Sequence, residues 1–252
     1  MDANKKARAI IYAAGLGTRF KPWTDKHPKA LAIINGKSLL QRNIEYLQQY
    51  GFNDVIVNVH HFADQLKESI QTNNGWGSNI IISDESDEVL ETGGGLLKAK
   101  DLFDPNELFV SINVDVLTDL DLNALIETHK KNNALITIAV SDRTTSRYFL
   151  FDNESRLCGW RNTKTGEEII SSLNKDEEDK CVENLLQKAY SCVVVYSPEI
   201  FSKIPFTGKF SLTALYLHLA KTNLIFGHQH TIEKWVDVGK PESVAIAEKL
   251  FT

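Results

Sequence analysis

The stretch from Ala13 to Leu31 combines the glycines and cations that a phosphate site needs. Gly15 and Gly17 lack a Cβ, so the backbone can turn sharply there and direct successive N–H groups at an anion. Arg19 and Lys29 add a permanently charged guanidinium and a movable ammonium to the same loop. The preceding apolar run predicts a strand that ends at this loop. These residue types favour a polyphosphate ligand over a neutral one.

Three other interpretations of the glycine pair are weaker. A dinucleotide-binding fingerprint needs a third glycine where Phe20 stands and a helix that starts at once, whereas Pro22 and Pro28 keep the segment irregular. A Walker-type loop needs an earlier glycine ahead of its Gly-Lys-Ser, and the Gly-Lys-Ser at residues 36–38 lacks it. A plain strand-to-helix turn would explain the glycines but not the arginine, lysine and prolines beside them.

Two aspartates and a second glycine segment suggest further parts of the site. Asp115 ends the apolar run 108–114, and Asp237 lies inside the apolar segment 235–239. A carboxylate there is costly to bury unless it is hydrated, paired or bound to a cation. The segment from Glu91 to Gly95 contains three successive glycines. We expect it to be a loop whose bare backbone lets a flat ring or a ribose lie closely against it.

The elements that must position these residues alternate along the chain. Apolar strand patterns and helical spacing follow one another as β-α-β-α-β, which predicts an α/β fold with a doubly wound, mostly parallel, Rossmann-like sheet in three layers, α/β/α. Residues 148–161 predict a small antiparallel hairpin region. We expect one domain over residues 1–252, in which residues 143–190 cover the substrate. The charged stretch 163–182 predicts a solvated excursion, with a lid as the alternative.

Composition limits the possible partners. The chain has 28 Lys+Arg and 33 Asp+Glu, a formal net charge of −5, so we expect no nucleic-acid partner. The apolar run near the N-terminus is too short for a signal-peptide core or a spanning helix, so we expect a cytoplasmic protein with no membrane partner. The three cysteines, Cys158, Cys181 and Cys192, form no C-x-x-C pair, which argues against a disulfide framework or a zinc site.

The motifs resemble those of a known enzyme family. They comprise Gly15–Arg19, Pro22, Pro28 and Lys29, Leu90–Gly95, Asn113–Asp115 and Trp235–Gly239. Together they resemble the signature of the sugar-1-phosphate nucleotidylyltransferases, also called nucleotide-sugar pyrophosphorylases, across almost the whole chain. The short length and the Glu-Thr-Gly-Gly-Gly segment are most similar to the bacterial N-acetylmuramate-1-phosphate uridylyltransferases and the small mannose-1-phosphate guanylyltransferases.

The resemblance implies roles for individual residues. Arg19 and Lys29 would be catalytic, and Asp115 and Asp237 would hold Mg²⁺ as the cofactor. The implied nucleotide contacts are Ala14, Gly15, Gly17, Thr18, Arg19, Lys29, Glu91, Thr92, Gly93 and Gly94. Val114 stands where the family commonly has glycine, which would narrow the approach to the site without removing the metal ligand.

The sugar-phosphate side of the site is less complete. Asn113 matches a family position that contacts the substrate. Many members also carry a Glu-x-Pro-Lys-like stretch whose lysine holds the sugar phosphate, and this chain has no such stretch. Arg161 is the replacement that we predict. The other possible replacements are Arg147, Lys164 and Lys188.

The implied reaction is Mg²⁺-dependent transfer of a nucleotidyl group from a nucleoside triphosphate to a sugar 1-phosphate. UTP is the first expectation and GTP the second, with N-acetylmuramate or mannose 1-phosphate as the acceptor. A cytidylyltransferase acting on phosphocholine shares the opening signature and is one alternative. A nucleotide-sugar-binding regulatory module without catalysis is a second alternative. Such a module would not need the four charged residues Arg19, Lys29, Asp115 and Asp237 together.

Overall fold

The computed structural model describes residues 7–171, 185–231 and 233–252. In these residues a mixed sheet of ten strands forms the centre, and two short ribbons lie beside it. The strands are β1 Ala9–Tyr12, β2 Ile33–Ile34, β3 Lys37–Ser38, β4 Asp54–Val59, β5 Asn79–Asp84, β6 Phe109–Asn113, β7 Val116–Thr118, β8 Ile136–Ser141, β9 Arg147–Phe151, β10 Leu157–Asn162, β11 Glu167–Ile170, β12 Leu186–Tyr196, β13 Ile225–Gln229 and β14 Trp235–Asp237. The helices are α1 Leu39–Gln49, α2 Ala63–Thr72, α3 Glu91–Lys98, α4 Leu122–Lys131, α5 Ile200–Lys203, α6 Leu212–Leu219 and α7 Glu242–Leu250.

The parallel part of the sheet has the order β6-β1-β4-β5. Tyr12, at the end of β1, pairs with Asn58 of β4 on one side and with Asn113 of β6 on the other. The carboxyl ends of these strands therefore meet at one edge of the sheet, where ligands of open α/β sheets bind. The opening loop and Asp115 both leave the sheet at this edge.

The antiparallel part centres on strand β12, which has 11 residues and pairs with β6, β8 and β9. Strands β9, β10 and β11 then continue the sheet to its far side. The predicted Rossmann-like α/β class is confirmed. The antiparallel region is larger than the predicted hairpin because the long β12 joins it to the parallel strands.

Strand β1 shows why the sheet is covered on both faces. Its four residues are all buried and apolar. Side chains alternate along a strand, so Ala9 and Ile11 belong to the core on the α1 face, whereas Ile10 and Tyr12 belong to the core that includes α6. Two apolar cores separated by one sheet give the predicted three-layer arrangement.

Local signals set the ends of several helices. Ser38 Oγ accepts a hydrogen bond from Gln41 N at 3.1 Å and caps α1, and Gly51, with φ +83°, follows the last turn of that helix. Asp121 caps α4 by accepting from two backbone N–H groups. Local sequence thus sets these three helix ends.

Part of the charged excursion is ordered sheet. Glu167–Ile170 forms β11 and pairs with β10, and its first three residues are exposed. This part of the stretch is therefore exposed to solvent but forms regular strand. Residues 172–182 lie outside the described residues. The role of residues 143–190 in covering a substrate stays a prediction. Among the helices that the structure describes, none has the length and apolarity to cross a bilayer.

Candidate active site

Asn58 fixes the start of the opening loop. Its buried Oδ1 accepts hydrogen bonds from the N–H groups of Ala13, at 2.6 Å, and Ala14, at 3.2 Å. Gly17 has φ +60°, and a Cβ on it would lie 2.8 Å from Thr24 Cγ2. Any other residue would therefore be strained by both backbone conformation and space. The loop enters its turn with a fixed direction.

The turn itself offers unused donors. Between residues 15 and 19, no backbone N–H donates a hydrogen bond to any residue that the structure describes. The Arg19 side chain is exposed, and no described carboxylate lies within 4.0 Å of its guanidinium. Free N–H groups beside a free guanidinium are the donors that a phosphate chain requires. The geometry agrees with the anion site expected here.

A two-stranded ribbon brings the two aspartates together. Strands β7 and β14 pair antiparallel, with Asp237 opposite Val116. The carbonyl oxygen of Asp115 accepts a hydrogen bond from Val238 N at 2.8 Å. Two acids that are distant in sequence thus stand side by side at one end of this ribbon.

The loop cations lie beside the two acids. Lys29 Nζ forms an ion pair with Asp115 Oδ2, and both side chains are largely buried. A Cβ on Gly239 would lie 2.6 Å from Asp237 Oδ1 and 2.9 Å from Arg19 Nη2, so the backbone there must be bare for these groups to approach. Sequence reasoning placed Arg19, Lys29, Asp115 and Asp237 in one site, and the structure brings them together.

The surroundings of Asp237 disfavour the charged form of its carboxyl group. Desolvation by neighbouring groups raises the pKa of Asp237, and the Asp115 carboxylate raises it further, whereas Lys29 and Arg19 oppose the shift. Two adjacent carboxylates that repel each other favour a bound cation.

The donor set fits Mg²⁺. In the described part of the chain, no group of three or more His, Cys, Asp or Glu side chains could hold a metal ion. Mg²⁺ is usually held by one or two carboxylates together with water and substrate phosphate oxygens. Asp115 and Asp237 supply that share, and the ammonium of Lys29 is the group with which a cation would compete for Asp115.

The second glycine segment is not the loop that the sequence predicted. Glu91–Lys98 is helix α3, and the three glycines lie buried in its first turns. A Cβ on Gly93 would overlap Phe210, and one on Gly94 would overlap the carbonyl oxygen of Gly208. The Gly93 and Gly94 N–H groups donate to Phe210 O at 2.9 and 3.2 Å. The prediction of a loop is therefore wrong for these residues, because close packing of the glycines holds them in a helix, whereas nucleotide contacts from Gly93 and Gly94 stay predictions.

A pocket nevertheless lies between the opening loop and α3. Thr92 reaches it, although the Thr92 hydroxyl also accepts a hydrogen bond from Leu212 N at 3.2 Å. Glu91, with φ +60°, stands at the helix start. The pocket is lined by Tyr12, Ala14, Gly15, Asn58, Glu85, Val89, Glu91 and Thr92. Nucleotide contacts from Ala14, Gly15, Glu91 and Thr92 remain predictions that suit this position.

Glu85 is a buried acid that the sequence did not single out. It is 0% exposed, and its Oε1 accepts a hydrogen bond from Asn58 Nδ2 at 2.7 Å. A Cβ on Gly95 would lie 2.6 Å from the same Oε1. Burial raises the pKa of Glu85, although the Asn58 hydrogen bond opposes the shift. Through Asn58, this acid connects α3 to the opening loop.

Arg143 is a second residue that sequence reasoning missed. Its guanidinium carbon lies 4.1 Å from the centre of the Trp235 ring, and its Nη2 donates to Tyr190 O at 2.7 Å. Burial lowers the pKa of Arg143, while the nearby Cys192 and Asp237 act in the opposite direction. The available signal was its position, because Arg143 is the first cation after a buried strand of the sheet.

The predicted replacements for the sugar-phosphate lysine are either paired or exposed, and their contact with a sugar phosphate stays a prediction. Arg161, on β10, forms an ion pair with Glu168 of β11. Lys188 donates to Asp142 Oδ1 and to Gln229 Oε1, each at 2.7 Å. Arg147 and Lys164 are exposed. Asn113 ends β6 beside Tyr12, two residues before Asp115, and its contact with substrate stays a prediction.

Comparison with known proteins gives matches over nearly the whole chain. The family model described as "Nucleotidyl transferase" matches residues 8–252. The chain is 28% identical over 232 residues to the N-acetylmuramate alpha-1-phosphate uridylyltransferase of Neisseria meningitidis serogroup B, covering 92% of this chain and 93% of that protein. It is 27% identical to the UTP–glucose-1-phosphate uridylyltransferase of Synechocystis, covering 92% of this chain but 60% of that protein. The chain thus spans less than two thirds of the second relative.

A solved structure shows the same fold. HddC from Yersinia pseudotuberculosis, crystallised with GMP-PN, superimposes with a TM-score of 0.77 at 24% sequence identity. The match covers 98% of this chain and 100% of that one. The similarity in backbone extends over both the parallel and the antiparallel parts of the sheet.

Proposed function

Because the chain belongs to the nucleotidyl transferase family, we propose that it transfers a nucleotidyl group from a nucleoside triphosphate to a sugar 1-phosphate and releases pyrophosphate. One observation carries the proposal. Asp115 and Asp237, brought together by the β7–β14 ribbon, face Arg19 and Lys29 of the glycine loop. The chain thus places hydrogen-bond donors for an anion and carboxylate ligands for a cation in one site. A reaction between two phosphate groups needs both.

The proposed chemistry is in-line attack of a sugar-phosphate oxygen on the α-phosphorus of the nucleotide. Both reactants are anions, so positioning and charge stabilisation supply most of the catalysis. Arg19, with no described carboxylate within ion-pair distance, would hold the departing β- and γ-phosphates. Lys29 would move from Asp115 to neutralise charge on the α-phosphate. The unused N–H groups of residues 15 to 19 would complete the phosphate cradle.

Asp115 and Asp237 would hold a Mg²⁺ ion. When bound, the ion would neutralise negative charge between the two phosphates. The two carboxylates stand next to the loop cations, so the phosphate oxygens of a nucleotide bound at the opening loop would supply further ligands to the ion. The pairing of β7 with β14, which places the two carboxylate-bearing residues side by side, supports this assignment.

UTP with N-acetylmuramate 1-phosphate is the substrate pair that we propose first. The support is the Neisseria relative, which carries that activity in its name and is covered over 93% of its length. Mannose 1-phosphate with GTP comes second. A mannose-1-phosphate guanylyltransferase subunit of Drosophila pseudoobscura is 25% identical, with 60% of its length covered.

A pyrophosphate-release screen tests the function. UTP, GTP, CTP and dTTP are each combined with N-acetylmuramate, mannose and glucose 1-phosphates and with phosphocholine, with and without Mg²⁺. We expect Mg²⁺-dependent release with a sugar 1-phosphate. Release from CTP and phosphocholine alone would favour the cytidylyltransferase alternative. Nucleotide binding without release from any pair would favour a non-catalytic binding module.

A further inference from the structure

The proposed reaction needs a cation for the acceptor phosphate as well as for the nucleotide. Lys29 is paired with Asp115, and Arg19 stands on the loop side, beside Gly239. The cation predicted for the acceptor, Arg161, forms a partly exposed ion pair with Glu168 of the neighbouring strand. Arg143 is a further cation near Asp237, and no described carboxylate lies within ion-pair distance of it.

Topology places Arg143 at the correct edge of the sheet. Strand β8 runs antiparallel to β12, which runs antiparallel to β6, so β8 and β6 point the same way. Arg143 follows the end of β8 by two residues, as Asp115 follows the end of β6. Both residues therefore leave the sheet at the edge where the opening loop also begins.

The Trp235 ring holds the guanidinium in place. Trp235 Nε1 donates to Ser191 O at 3.1 Å, which fixes the ring against β12. Trp235 and Asp237 are two residues apart on β14, so their side chains share one face of that strand. A guanidinium stacked on the ring is thereby kept next to Asp237, and the electrostatic effect of Asp237 on Arg143 reports the same proximity.

Arg143 retains donors for a ligand. Its Nη2 donates to Tyr190 O, whereas its buried Nε has no protein partner among the described residues. No described carboxylate lies within ion-pair distance of this guanidinium. Nε itself is enclosed by protein, but the Arg143 side chain is only half-buried, so its remaining Nη donors are the ones that can meet an anionic oxygen. The planar guanidinium also presents paired N–H groups that match two phosphate oxygens.

We propose that Arg143, stacked on Trp235 beside Asp237, binds the phosphate of the sugar 1-phosphate. This inference rests on the proposed function and identifies the acceptor side of that site. The nucleotide phosphates then lie on the Arg19 side of the acidic pair and the acceptor phosphate on the Arg143 side. The attacking oxygen approaches from a direction that the Trp235 ring and the β12 backbone fix.

Steady-state kinetics of Arg143→Ala and Arg143→Lys test the assignment, using the sugar 1-phosphate that supports the fastest pyrophosphate release. We expect Arg143→Ala to raise the KM for that sugar phosphate by at least about tenfold, because hydrogen bonds to charged groups contribute at this level. The KM for the nucleotide should stay within about twofold. Arg143→Lys keeps the charge but not the paired donors, so its KM should fall between those of the wild type and the alanine variant.

Arg156→Ala is the matched control. Arg156 pairs with Asp152 in the turn between β9 and β10 and forms a backbone bridge with Phe226 of β13, so its loss should change neither KM. Equilibrium binding of the same sugar phosphate, with the thermal midpoint recorded for each variant, separates binding from folding. If Arg143→Ala does not fold, the KM values for the sugar phosphate and for the nucleotide are compared in Arg143→Lys instead, and that comparison decides.

An unchanged KM for the sugar phosphate in a folded Arg143 variant would overturn the inference. So would an equal rise in both KM values with a lowered thermal midpoint, which would mean that Arg143 only supports the β12 backbone. These results leave wild-type pyrophosphate release intact, so they are distinct from failure of the proposed function, in which the wild type releases none.

Discussion

Two glycine segments of this protein look equally suited to a ligand in the sequence, yet the structure uses them differently. Gly15 is exposed, and a Cβ built on it meets nothing within 4 Å. Gly93, Gly94 and Gly95 are buried in α3, and a Cβ on each would collide with Phe210, Gly208 or Glu85. The first segment keeps its backbone open to solvent, whereas the second needs small residues so that its neighbours can approach.

Because of this difference, substitutions in the two segments should have different effects, on catalysis in the first segment and on stability in the second. Changes at the exposed loop positions Gly15 and Arg19 should alter activity and leave the fold intact, because neither residue donates a backbone hydrogen bond to the described protein. Gly17, which is packed against Thr24, is the exception. Changes in α3 should alter stability first, since Gly93 and Gly94 already donate to Phe210 O. Four substitutions test this contrast.

Arg19→Ala should give the largest effect on activity. It removes a guanidinium that faces the acidic pair, and loss of one such charge-stabilising group costs about 100-fold or more in turnover. Its thermal midpoint should match that of the wild type. Lys21→Ala is the control, because Lys21 lies in the same loop in an exposed pair with Asp25. Full turnover in Arg19→Ala would remove the opening loop from the mechanism.

Gly94→Ala should give the next largest effect, on stability. The added methyl group overlaps the carbonyl oxygen of Gly208, and overpacking of this kind costs about 1–3 kcal/mol. The gain in helix propensity is about 1 kcal/mol and offsets only part of that cost. Urea unfolding should show a lower midpoint with an unchanged slope. Stability equal to that of the wild type would mean that the space between Gly94 and Gly208 is larger than the structure shows.

Gly15→Ala should leave stability unchanged and weaken nucleotide binding several-fold. The new methyl group meets no protein atom, but it narrows the space in front of the unused N–H groups. The KM for the nucleotide and the urea midpoint measure the two effects separately. A lowered midpoint with normal KM would reverse the contrast between the two glycine segments.

Glu85→Gln should give the smallest effect, a change in the pH dependence of stability. Burial raises the pKa of Glu85 above its ordinary value of 4.5, so the unfolded chain loses this proton first as pH rises. The folded state is therefore progressively destabilised from pH 4.5 up to the raised pKa, and the loss is constant above it. Glutamine can accept the same hydrogen bond from Asn58 and removes this loss. If the free energy of unfolding in urea changed identically with pH for the wild type and Glu85→Gln between pH 4 and 8, the raised pKa of Glu85 would be contradicted.

The opening loop, the acidic pair and most strands could be predicted from sequence because each has a local pattern. Apolar runs mark β1, β4 and β6, and Gly, Arg, Lys and Asp at their ends mark the site. The helical state of Glu91–Lys98 could not be predicted, since three glycines disfavour a helix unless tertiary packing requires them. Its partners, residues 208–210, lie far along the chain.

Arg143 was missed for a related reason. No motif surrounds it, and its neighbour Trp235 comes from a distant three-residue strand. Strand β12 also has an irregular register between Tyr190 and Val194, with Cys192 at φ +61°. This backbone supplies the carbonyls that hold Arg143 and Trp235, and no alternation pattern encodes it. Contacts between remote short segments are the part of the site that one sequence does not specify.

The central claim is that Asp115 and Asp237 act together on one divalent cation. Pyrophosphate release at saturating substrate, measured for Asp115→Asn, Asp237→Asn and the double variant, tests it directly. We expect each single variant to lose about 100-fold or more in turnover and the double variant to lose little further, because residues that act as a unit are not additive. A double variant whose loss equals the product of the single losses, or a single variant with full turnover, would contradict the claim.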